Sequence, residues 1–124
     1  MLEASAILAL LQQEPGAENL TYDILLVAIA STVHLAEAQT KLVKRGIPAD
    51  QAWTNVFSTV TAQEVFSSEQ AQIAVSLIPE TQSYGLSLGD RSCLGLAISL
   101  NAAVYTTEQL WRNLNVRIPI HVIR

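Results

Sequence analysis

Apolar residues along the chain fall into short blocks divided by caps and breakers, some at helical spacing and some in brief continuous runs. Ala4 to Gln13 is rich in Ala, Leu and Ile, with Ser5 early and Pro15-Gly16 beyond its end, which predicts a short buried helix. Residues 24–30, ILLVAIA, are continuously apolar with β-branched members and predict a strand buried on both faces. Ser31 or Thr32 can cap a helix to Arg45, with Lys41, Lys44 and Arg45 in its last turns, where the helix dipole favours cations, and Gly46 closes it. Pro48 suits the first turn of the next helix, to about Val60. Gln63 to Phe66 predicts a brief strand, followed by a helix from Ser68 to Ile78 that Pro79 ends. Ser87-Leu-Gly-Asp90 has capping-box spacing, with Asp in place of the usual Glu or Gln, and opens a helix to about Leu100. A strand at Ala103 to Thr106, a short helix at 107–113 and a strand at Ile118 to Ile123 complete the pattern.

Strands alternating with helices at this spacing predict an α/β fold, a parallel sheet with helices on both faces. Crossovers should be right-handed, and a ligand site should lie beyond the carboxyl ends of the central strands. The length, 124 residues, suits a single domain spanning 1–124, and half of it is apolar, enough for a core. A net charge of −4 excludes an overall basic coat but not a local basic patch. The lone Cys93 excludes an internal disulfide, and His34 and His121, far apart in sequence, make a poor seed for a metal site. No apolar run is long enough to span a membrane, and no basic stretch precedes the first apolar residues, so a cytoplasmic location is expected.

Four carboxylates fall near strand-to-helix transitions: Glu3, Glu37, Asp90 and Glu108. Converging at one sheet edge they would repel one another, an arrangement expected where a cation compensates. Such hard oxygen ligands suit Mg²⁺ or Mn²⁺, and the chemistry implied is metal-assisted phosphodiester hydrolysis. Each acid has a plainer role open to it. Asp90 can complement the helix dipole, although it shares a helical face with Leu94 and Ala97. Glu37 lies off the Leu35/Ala38/Leu42 stripe and can pair with Lys41 at i,i+4, for about 0.2–0.5 kcal/mol. Glu108 can be another first-turn acid, and Glu3 a residue near a frayed terminus.

In order along the chain, LEASAILALLQQEPGAE at 2–18, STVHLAEAQTKLVKRG at 31–46, GLSLGDRSCLGLAISLNAAVYTTEQLW at 85–111 and the terminal VRIPIHVIR closely resemble the PIN domain. The likeness is to the small bacterial toxin-type PIN ribonucleases of VapBC-like toxin–antitoxin pairs. The resemblance implies a three-layer α/β/α sandwich around a central parallel sheet and RNA cleavage dependent on Mg²⁺ or Mn²⁺. It also implies homodimerisation and neutralisation by a small antitoxin whose tail occupies the acidic site. Asp90 and Glu37 match the family's acidic positions in identity, whereas Glu3 and Glu108 stand where Asp is usual, the latter in Thr106-Thr107-Glu108. Ser5 matches the small hydroxyl residue after the first acid, and His34 stands where Asn is common.

A glutamate carries its carboxylate about 1.5 Å further than an aspartate. The alternative to a working nuclease is thus a weakened or inactive PIN-fold module that binds an antitoxin or RNA without cleavage. Only Met1 and Leu2 precede Glu3, where a first central strand normally needs about five residues, so either that strand is very short or the sequence lacks its natural beginning. Arg91 and Arg112, next to or near two of the acids in sequence, are candidates to meet RNA phosphates; Lys41, Lys44 and Arg45 read first as an ordinary helix C-terminus. Trp53 and Trp111 should fill a core or dimer surface rather than stack on bases, and Cys93 should be a buried small hydrophobe.

Overall fold

Strands this short are not stable in isolation, and the computed structural model, which describes residues 1–124, shows which neighbours hold them. Two parallel pairs form: β1 (Ile29–Ser31) with β2 (Ala62–Glu64), and β3 (Val104–Thr106) with β4 (Ile120–Val122). Residues 1–3 lie between the pairs. The Leu2 N–H donates to Ile29 O at 2.8 Å, while Tyr105 N–H donates to Met1 O at 2.9 Å and Glu3 N–H to Tyr105 O at 3.0 Å. The N-terminal tripeptide, though very short, thereby joins both halves into one sheet in the order β2, β1, residues 1–3, β3, β4.

Strand alternation assigns the two faces. Leu2, Ala28 and Ala30 point to one side, where α1 (Ala4–Gln12), α3 (Thr32–Lys44) and α4 (Ala49–Phe57) supply Ile7, Leu35, Leu42 and Val56. Met1 and Val104 point to the other, against Leu94, Leu96 and Ala97 of α7 (Leu88–Leu100) and Trp111. α5 (Ser68–Ser76) packs on α7 from outside. The result is the expected α/β class with helices on both faces of a parallel sheet.

Ser31 is the cap that the sequence left shared with Thr32: its Oγ accepts from Val33 N–H at 3.2 Å. Gly46, at φ 98°, turns the chain out of α3 in a region that L-residues avoid. Both halves of the Ser87–Asp90 capping box are present.

Several predicted boundaries require correction. The run at 24–30 is not one strand: Tyr22–Leu26 forms a helical turn, α2, and the strand begins only at Ile29. Thr21 caps that turn in an extended conformation, and Leu26 and Val27 face solvent while Ile24 and Leu25 pack on the core. A short apolar run does not by itself distinguish these outcomes. Pro79 does not simply terminate a helix. It sits in the first turn of α6 (Ile78–Thr81), where its missing N–H has no intrahelical acceptor to lose. The second strand is shifted to Ala62–Glu64, α4 ends at Phe57, and the element after β3 is a 3₁₀ helix at Gln109–Asn113. Trp111 fills the core, whereas Trp53 is 36% exposed and stacks on Phe57. Cys93 is fully buried, and burial pushes its thiol well up, away from nucleophilic use.

Leu2, with 0% exposure, carries the central strand. Leu2→Ala is expected to cost about 2–5 kcal/mol of stability, read as a lowered midpoint in urea unfolding.

Candidate functional site

At the carboxyl ends of the strands lies a cleft of about 340 Å³ whose lining includes Glu3, Glu37, Asp90 and Glu108 together with Lys41 and Lys44. All four acids singled out in the sequence therefore border one space.

Glu3 is the most constrained of them, at 4% exposure. Its Oε2 accepts from Ser5 N–H at 2.9 Å, from the Ser5 hydroxyl, and from Thr106 Oγ1 at 3.0 Å. The same hydroxyls accept in turn: Thr107 N–H donates to Ser5 Oγ at 2.9 Å, and Glu108 N–H to Thr106 Oγ1 at 3.1 Å. One carboxylate oxygen is thus immobilised, and the segment carrying Glu108 is tied to it. The other oxygen, Oε1, faces His34 Nδ1 at 3.5 Å. Burial pushes the Glu3 pKa up, but the contacts to His34 and Ser5 outweigh it and hold the group below the ordinary glutamate value.

The two histidines do not come together, as their separation in sequence suggests, but His34 by itself joins the acids. Its buried ring lies between Glu3 and Glu37, whose Oε2 is 3.4 Å from Nδ1, and donor atoms of the three residues lie within 4.8 Å of one another. His121 remains remote from the cluster, stacked on Tyr105. Burial disfavours the His34 imidazolium, yet the Glu3 and Glu37 carboxylates favour it more, so the ring's pKa is raised. The Ala4 amide opposes a second proton by aiming its N–H at Nδ1 at 3.0 Å, while Nε2 lies 2.8 Å from Gly89 O. The Ala4 contact suits a ring protonated at Nε2 only, whereas the two carboxylates favour the imidazolium, so the two demands on Nδ1 oppose each other. Besides the family resemblance, the sign in the sequence was His34's place three residues before Glu37 in a capped helix, which puts both on one face.

Glu37 makes no ion pair with Lys41. It turns instead toward His34 and over Gly89, where a Cβ would collide with its Oε1. Gly89 is the residue that sequence reasoning missed: it read as part of a cap, and the absent side chain is what admits the carboxylate. Burial raises the Glu37 pKa, His34 lowers it, and Asp90 and Glu3 raise it again, leaving it above the ordinary value.

Asp90 fills both of the roles open to it. Its Oδ2 accepts from Ser87 N–H at 2.9 Å in the capping box, and the residue borders the cleft. Glu108 is exposed. Arg91 and Arg112 do not line the cleft: Arg91 donates to Ala74 O at 3.2 Å, and Arg112 to Arg124 O at 3.3 Å. The cations that do line it are Lys41 and Lys44.

This donor set fits a divalent cation. Two carboxylates and an imidazole converge, two further carboxylates border the same space, and burial, with a smaller contribution from the neighbouring acids, raises the pKa of Glu37. Glu3, His34 and Glu37 can bind a metal ion, and the predominance of oxygen suits a hard one.

The whole chain superposes on a solved structure, a chain of VapBC2 from Rickettsia felis bound to a DNA fragment from their promoter. The TM-score is 0.74 at 18% identity, over 98% of this chain and 96% of that one. At that identity the likeness establishes the fold. No protein-family model matches the sequence, and no curated protein is significantly similar to it. No helix is long and apolar enough to cross a membrane.

Two outcomes test the geometry of the cleft. Gly89→Ala should displace the Glu37 carboxylate and diminish the rise in Tm produced by Mn²⁺, while far-UV circular dichroism stays unchanged. A glutamate whose pKa is raised by folding contributes stability that is present below its unfolded pKa and lost as pH rises through its folded value. In EDTA at neutral pH, Glu37→Gln should therefore melt above the parent protein. The gap should close as pH falls below the ordinary glutamate range, and Mn²⁺ should stabilise the parent more than the variant.

Proposed function

We propose that this protein is a PIN-like toxin-type endoribonuclease that hydrolyses RNA phosphodiester bonds with Mg²⁺ or Mn²⁺ held by Glu3, Glu37, Asp90 and Glu108. The single observation that carries the proposal is the convergence of these four acids, from both ends of the chain, on one cleft at the carboxyl edge of a VapBC-like fold. A divalent ion there would supply an activated water and neutralise charge on the phosphate. The chain's own residues supply the rest: Ser5 and Thr106 orient Glu3, Gly89 makes room for Glu37, and Lys41 and Lys44 offer positive charge to an incoming phosphate. The fold neighbour's membership of a VapBC2 complex supports a cognate antitoxin as partner; a homodimer is proposed on the family resemblance alone.

A second possibility, a PIN-fold module that binds RNA or an antitoxin without cleavage, is favoured by the state of Glu108. Its carboxylate is exposed and no hydrogen bond orients it, in contrast to that of Glu3. Placement errors of about 1 Å can cost about 10²-fold in rate.

Incubation of the purified protein with single-stranded RNA and Mn²⁺ separates the two. Cleavage that falls by at least about 10²-fold in Asp90→Asn, together with a Tm raised by millimolar Mn²⁺, is expected of the nuclease. Intact RNA with the parent protein, or equal cleavage by the variant, would overturn the nuclease reading in favour of the binding module.

A further inference from the structure

Beside the carboxylate cleft is a second cavity of about 250 Å³ with a different chemistry, bordered by Lys41, Arg45, Arg124, Thr107 and Glu14. It shares Lys41 and Glu108 with the first, so the two form one continuous groove along the C-terminal half of α3. The chain has seven Lys and Arg in all, and four of them line this groove: Lys44 in the carboxylate lobe, Lys41 at the junction, and Arg45 and Arg124 in the second lobe. In a protein of net charge −4 such a concentration is not a general surface property.

Two of the three cations in the second lobe are unpaired. Lys41 and Arg45 form no ion pair, and the Thr107 hydroxyl has no hydrogen-bond partner within the chain, although its backbone N–H is held by Ser5. Arg124 is anchored through its backbone oxygen, which accepts from Gln109 and Arg112, and its guanidinium donates to Glu14 at 2.7 Å and to Pro15 O at 3.4 Å. That pair is partly exposed, so it is worth little in water and is open to exchange. A guanidinium fork matches a phosphate at least as well as a carboxylate.

We infer that the second lobe is a phosphate subsite for the RNA strand, seating a phosphate that flanks the one in the carboxylate cleft. Arg45, Lys41 and the Thr107 hydroxyl contact it, and it takes Arg124 from Glu14. This rests on the nuclease reading above and adds a direction to it: the strand runs from the carboxylates across Lys41 toward the chain's C-terminus. Glu14 acts as a built-in competitor that keeps affinity down.

The test is fluorescence anisotropy of a labelled short single-stranded RNA with Mn²⁺, in an Asp90→Asn background so that the probe survives, across a salt series. Arg45→Ala and Arg124→Ala are each expected to weaken binding about 3–10-fold and to reduce the log–log salt slope by about 0.7, the value of one lost phosphate contact on a single strand. Glu14→Gln is expected to tighten binding about 2–5-fold, a gain that a merely unfolding variant would not give. Arg117→Ala removes the same charge from the exposed loop before β4, outside both lobes, and should change neither quantity. If Arg117→Ala matches Arg45→Ala, or if the slope and the Glu14→Gln affinity stay at the parent values, the subsite is overturned while RNA cleavage by the unmodified protein still supports the nuclease. If the unmodified protein neither binds nor cleaves RNA, both fall together.

Discussion

The Glu3 carboxylate leaves water at the point where the two halves of the sheet meet, and donors from Ser5 and Thr106 converge on one of its oxygens. An unpaired buried charge costs several kcal/mol, so the group is tolerable only because those donors are brought to it. Ser5 is its immediate neighbour on α1, but Thr106 comes from β3, on the opposite side of the central tripeptide. Docking β3 beside residues 1–3 and ionising Glu3 are therefore mutually dependent. The constraint passes outward along the same hydroxyls, which take the N–H groups of Thr107 and Glu108 and so set where the chain leaves β3.

From that fixed point the cleft acquires its character. One Glu3 oxygen is spent on structure, and the other is turned toward His34 and the open space. Glu37, half-buried over Gly89, has no such set of donors and carries the repulsion of its neighbours instead. The site is thus built of one tightly held carboxylate and several more adaptable ones, a combination that a cation can complete without rearranging the sheet. The net charge of −4 looks unfavourable for a nucleic-acid ligand until its distribution is considered: four of the eleven acids border one cleft, and the cations that adjoin it continue into a second lobe.

Much of the architecture was legible in residue order. Ser31, Gly46 and the Ser87–Asp90 pair mark helix ends through local chemistry that tertiary contacts do not override. The run at 24–30 is ambiguous because a continuous apolar block has no period; in the fold residues up to Leu26 are helical and the strand begins at Ile29. Among the site residues, the acids could be picked out by position after strands and by family resemblance. His34 was marked by resemblance alone, without its contact to Glu3, and Gly89 not at all, since it acts by lacking a side chain. The cations show the same limit: Arg91 is adjacent to Asp90 in sequence yet projects to α5, whereas Lys41 and Lys44, a full turn or more beyond Glu37, line the same cleft.

The sequence by itself determined which segments can be helix or strand, that the strands are parallel, and that carboxylates accumulate at their carboxyl ends. Those properties follow from local spacing, capping and the stereochemistry of crossovers, which act over a few residues or over one βαβ unit. Only the tertiary structure decided that residues 1–3 join the two strand pairs, that Glu3 is immobilised from a strand about a hundred residues away, and that acidic and basic lobes share one groove. These depend on distances between elements remote in sequence, and burial and electrostatics at such distances are properties of the folded chain alone.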